Sequence, residues 1–115
     1  MKITEGLQSV VAALQAAGLA ADTDTDKLTP PCAWVAADAV ELETLDGGGR
    51  LDLSIYLISR DLKYAETIEA LQGLLAQALQ AVTPDGEIEL DEGVQTSAGV
   101  LPAFKIPLSV KVEAS

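Results

Sequence analysis

Hydrophobic and polar residues alternate from Gly49 to Ser59. Leu51, Leu53, Ile55 and Leu57 fall on one face, and Asp52, Ser54, Tyr56 and Ile58 on the other. A period of two with β-branched and aromatic residues predicts a strand. Around it the period changes to three and four. Ile3, Leu7, Val10, Val11, Leu14 and Ala17 predict a helix over about Thr4–Ala17, ended by Gly18. Tyr64, Ile68, Leu71, Leu75, Ala78, Leu79 and Val82 predict a second helix to Ala81, closed by the turn Thr83-Pro84-Asp85-Gly86. Gly73 lies inside it at a cost of about 1 kcal/mol against alanine, which points to a close approach by the sheet or the first helix.

Four further stretches complete the pattern. Cys32–Ala37 reads as a short strand with Cys32, Trp34 and Ala36 on one face and Val35 and Ala37 on the other. Asp38-Ala39 bends or breaks it. Val40–Leu45 then alternates again and is expected to pair antiparallel with Arg50–Ser59 through Asp46-Gly47-Gly48-Gly49. Glu87–Asp91 reads as a small strand and Glu92–Gly99 as a polar turn. Val100–Val112 is a long amphipathic strand, in which Pro107, lacking a donor, predicts an edge position or a bulge. The expectation is one domain over residues 1–115, of α+β class. It is a two-layer α/β sandwich: an antiparallel or mixed sheet of about four strands, covered on one face by two helices, in the order α-β-β-α-β-β. The other face is expected to lie open, so Tyr56 and Ile58 on it hint at a partner or a second helix.

Composition narrows the function. The net charge is −11 with seven Lys and Arg in total, which argues against direct nucleic-acid binding and against an anionic membrane surface. It allows docking to a basic surface. Eighteen alanines and four aromatic residues predict a modest core with close helix packing. No signal peptide is visible at Met1–Glu5, and no apolar run is long enough to span a membrane, so synthesis in the cytoplasm is expected. One cysteine, Cys32, excludes an internal disulfide and a thiolate zinc site, and reads as a small buried hydrophobe.

Candidate chemistry is sparse. The chain has no histidine and hence no serine triad. Asp22, Asp24 and Asp26 resemble the opening of a calcium loop, but Lys27 and Ala33 stand where such a loop needs Gly and Glu. The pairs Glu41/Glu43 and Glu87/Glu89 each share a strand face and read as solvated carboxylates. The three glycines Gly47–Gly49 precede a strand and do not open a helix, so they form no phosphate loop. They read either as a floppy tip or as a tip that orders against a neighbour. The expectation is a non-enzyme with no catalytic, cofactor-binding or metal-binding residue.

Several phrases carry a family resemblance: PPCAWV at Pro30–Val35, VELETLDGGGRLDLSIYLIS at Val40–Ser59, ALQGLLAQALQAVTPDG at Ala70–Gly86 and LPAFKIPLSVKV at Leu101–Val112. In this order, behind an N-terminal amphipathic helix and an acidic loop, they resemble the tail terminator proteins of long non-contractile-tailed bacteriophages, especially those of actinobacterial phages. The resemblance implies a virion structural protein of the tail-neck region. It implies a homo-hexameric ring that caps the head-proximal end of the tail tube and ends tube polymerisation. The implied partners are the major tail tube protein and a head–tail connector or stopper protein, with DNA passing through the lumen unbound and no membrane contact. Asp46–Gly49 and Asp22–Asp26 are the loops expected to touch tube or stopper. The alternatives are a tail completion or head–tail closure protein, or an unrelated acidic oligomeric adaptor.

Overall fold

The computed structural model describes residues 3–42, 48–60, 64–96 and 99–112. Helix α1 spans Ile3–Ala16 and α2 spans Tyr64–Ala81. The end of α1 is set by Gly18, at φ 94°. Gly18 N–H donates to Gln15 O at 3.0 Å, and Leu19 N–H donates to Leu14 O at 3.1 Å. This is the paired closure of a Schellman motif, and its apolar contact is present too, because Leu14 and Leu19 are both in the core. Gln15 Nε2 then donates to Ala21 O at 3.2 Å and ties the helix end to the first strand.

Five strands form one mixed sheet: β1 (Ala21–Asp22), β2 (Cys32–Leu42), β3 (Gly49–Ile58), β4 (Glu89–Thr96) and β5 (Gly99–Val112), in the spatial order β1-β2-β3-β5-β4. β1 is parallel to β2 and every other pairing is antiparallel. β3 lies at the centre, with Ile55 opposite Val35 on one side and Ile106 on the other. The register of β2 shifts between Ala37 and Ala39, so Asp38 is an extra, bulged residue. That bulge keeps β2 amphipathic: Ala33 and Val35 before it, and Val40 after it, all face the same side. Pro107 sits opposite Ser54 of β3, and its carbonyl accepts from Asp85 N–H at 2.9 Å on the side away from β3. Its missing donor therefore points off the sheet, beyond the stretch that β4 covers, as the sequence predicted.

The expected architecture needs correcting. The sheet has five described strands and not about four, and the order α-β-β-α-β-β omits β1. The two residues of β1 are too short to show a period, and they are held from outside, by Ala33 N–H donating to Ala20 O at 2.7 Å. β4 runs to Thr96, through residues read as a polar turn, while Glu87 precedes it. Its bulge between Glu89 and Glu92 scrambles the alternation on which the sequence reading depended. Gly73 is also reassigned: it is exposed, and an added Cβ would meet nothing within 4 Å. The close approach is at Gly6, where a Cβ would lie 3.1 Å from Val112 Cγ1 and 3.2 Å from Leu51 Cδ2.

The main core joins Val10, Val11 and Leu14 of α1 and Leu71, Leu74 and Ala78 of α2 to Leu51, Leu53, Ile55 and Leu57 of β3, with Phe104 and Ile106 of β5. Each such large side chain, fully buried, contributes about 1.5–3 kcal/mol. The second core is on the opposite sheet face. Cys32, Ile58, Val94, Leu101 and Ala103 are buried there, with Leu28, Trp34 and Tyr56 packed against them. The expectation of an open outer face therefore fails at this end, because the connection from β1 to β2 supplies Leu28 as a cover.

Candidate interaction surfaces

The outer sheet face divides into an apolar end and a charged end. At the apolar end Trp34 and Tyr56 are directly opposite each other on β2 and β3. Their rings stack with centroids 4.9 Å apart and planes 25° apart. Trp34 Nε1 donates to Thr23 O at 3.0 Å, and Arg60 Nε donates to Pro30 O at 3.3 Å. These bonds hold the β1–β2 connection to the sheet. Ile58, proposed from the sequence as an exposed partner contact, is 1% exposed. Lys105 lies 5.9 Å from the centre of the Tyr56 ring and 3.8 Å from Glu89 Oε2. Tyr56 first, and then Glu89, Asp38 and Glu92, hold Lys105 above the usual lysine value, with partial desolvation opposing them.

At the other end the side chains form a polar chain. Ser54 Oγ donates to Asp38 Oδ2 at 2.5 Å, a contact made possible because the bulge turns Asp38 onto this face. Arg50 donates to Glu41 Oε2 at 2.8 Å and to Asp52 Oδ1 at 3.1 Å. Ser109 Oγ lies 2.9 Å from Asp52 Oδ1 and 2.6 Å from Asp85 Oδ2. Asp85 comes from the segment after α2, so this contact joins that segment to β3 and β5. Asp38, Glu41, Asp52 and Asp85 outnumber the cations Arg50 and Lys111 here, and the surface is acidic.

The residues singled out in the sequence have local duties. Asp22 Oδ1 accepts from Thr23 N–H and Asp24 N–H at 2.7 and 3.2 Å, and Asp24 Oδ1 accepts from Asp26 N–H at 3.0 Å, where it caps the 3-10 turn Thr25–Lys27. The carboxylates thus support the loop that covers the second core. Glu41 is tied to Arg50, whereas Glu43 lies outside the described residues, as do Asp46 and Gly47 of the Asp46–Gly49 tip. Glu87 and Glu89 do not share a strand face, since only Glu89 is in β4. Cys32 is buried, and burial pushes its thiol up to about 11. Among the described residues no three His, Cys, Asp or Glu side chains gather as a cation site. Two shallow clefts are present. One, of about 350 Å³, lies between Val10 and Ala13 of α1, Val82 and Leu108. The other, of about 340 Å³, is lined by Pro31, Ser59, Arg60 and Ala70. Neither holds converging titratable groups.

The surface that sequence reasoning missed is the outer edge of β4, because the strand itself was misplaced. The available signal was Leu90, a large apolar residue inside a run of acids; the structure leaves it 57% exposed and Val100 65% exposed.

Compared with protein-family models and with curated proteins, the chain matches none.

Proposed function

We propose that this protein is a non-catalytic subunit of a phage tail neck: a terminator that assembles as a ring on the head-proximal end of the tail tube, ends tube growth and offers the head-side connector its docking surface. The resemblance of Pro30–Val35, Val40–Ser59, Ala70–Gly86 and Leu101–Val112 supplies the reading. The observation that carries it is the acidic end of the outer sheet face, built from Asp38, Glu41, Asp52 and Asp85. In the ring this face lines the lumen, where fixed negative charge repels phosphate and lets DNA pass without gripping it. The apolar end of the same face is sealed by the chain itself, so neighbouring subunits meet at the flanks. Such head-to-tail contacts generate closed rings when the rotation between copies closes.

The test is the absolute mass in solution by light scattering at low and high concentration, with electron microscopy of any large species, followed by addition to polymerising tail tube protein. A six-copy ring, or a monomer that stops tube growth when added, supports the reading. A stable two-fold dimer, or tubes that lengthen unchanged in its presence, overturns it.

A further inference from the structure

The outer edge of β4 is unpaired among the described residues, and its backbone polarity follows from two hydrogen bonds. Ser59 N–H donates to Pro102 O at 3.1 Å, so the Pro102 carbonyl points toward the β3 side. Gly93 lies directly opposite Pro102. That pair cannot exchange ladder bonds, so the N–H and C=O of Gly93 point away from β5, off the sheet. Alternation puts those of Gln95 in the same direction. The Asp85–Pro107 bond, on the outer side of β5, agrees with this phase.

The side chains around this edge are unusual for an edge left to water. Leu90 and Val100 are both well exposed. Gly93 has no side chain, and a Cβ there would lie 2.8 Å from Val100 Cγ1, so Val100 spreads apolar surface across β4 toward the edge. Glu89 and Glu92 lie in the first half of the same strand, with Lys105 as the nearby cation. Two copies pairing edge to edge would set these acids against one another, which opposes self-association.

We propose that the β4 edge receives an extended, basic segment of another protein, whose apolar residues alternate with Lys or Arg and which adds a strand to the sheet alongside β4. Main-chain bonds to Gly93 and Gln95 supply the pairing, Leu90 and Val100 the apolar contact, and the glutamates the selection for positive charge. This inference stands on the edge geometry and does not depend on the ring assignment.

The probe is a blocked peptide of alternating valine and lysine, about eight residues long to match the strand. It is compared with the same peptide carrying glutamate in place of lysine. Binding is read by fluorescence anisotropy, and its position by amide hydrogen exchange of the intact protein. The lysine peptide is expected to bind at least about tenfold more tightly than the glutamate peptide and to weaken as salt rises. It is expected to slow exchange at Gly93 and Gln95. Glu89→Lys with Glu92→Lys is expected to reverse the preference, and the wild-type exchange pattern decides the question even if that variant folds poorly. Equal binding of both peptides, binding without protection of Gly93 and Gln95, no binding at all, or concentration-dependent protection of these amides without peptide each overturns the proposal.

Discussion

Two helical glycines should respond to alanine with opposite signs. Gly73 is exposed on α2 with open space around it. Gly73→Ala gains the helix propensity difference of about 1 kcal/mol, part of it through the narrower unfolded ensemble. An unfolding entropy of about 2.1 cal/mol/K per residue makes that worth roughly 4 °C in Tm for a chain of this size. Gly6 is in α1, and the same substitution begins with a similar or smaller propensity gain near the helix start. Its Cβ would press on Val112 Cγ1 at 3.1 Å and Leu51 Cδ2 at 3.2 Å. Leu51 is 1% and Val112 5% exposed, so neither side chain has free volume to move into. Overpacking of a closed core costs about 1–3 kcal/mol, more than the propensity gain returns. Gly6→Ala is therefore expected to lower stability by about 1 kcal/mol, and Gly73→Ala to raise it by a similar amount. Urea denaturation followed by circular dichroism measures both, with unchanged m-values as the check on two-state behaviour. Equal stabilisation by both substitutions would refute the close approach of α1 to β3 and β5.

The remaining predictions concern the outer face. Trp34→Phe keeps a ring against Tyr56 but loses the Nε1 bond to Thr23 O, and should cost about 1 kcal/mol in urea denaturation. Trp34→Ala should cost more, and faster proteolysis within residues 23–31 would show that the covering loop has been released. Cys32 should resist alkylation at pH 8 in the native protein and react at once in denaturant, because burial raises its thiol to about 11. The folded state keeps the proton that the unfolded chain loses above its lower thiol value. Stability from this group is thus full below about 9 and declines as pH rises toward about 11, which alkaline denaturation of the wild type against Cys32→Ala would register. Glu41→Gln removes an exposed pair with Arg50 and should change stability by less than about 1 kcal/mol.

Much of this fold was written locally. The alternation in Leu51–Leu57 and the three–four spacing of Val10, Val11 and Leu14 identify buried faces, because a strand and a helix repeat at fixed periods whatever they pack against. Gly18 and Pro107 were legible for the same reason: a left-handed backbone angle and a missing donor are properties of one residue. What covers a face is not local. Tyr56 and Ile58 read as exposed because nothing near them in the chain announces that Leu28 returns over them, a contact closed only when β2 pairs with β3. β1 exists because Ala33 supplies it with a ladder bond, and β4 runs through polar residues because β5 offers it a partner. Gly73 and Gly6 look alike in a helical pattern, and only the distance from α1 to Val112 and Leu51 separates them. The periodicity determined which residues could be buried; the pairing of distant backbone groups decided which were, and left the outer edge of β4 unpaired among the described residues.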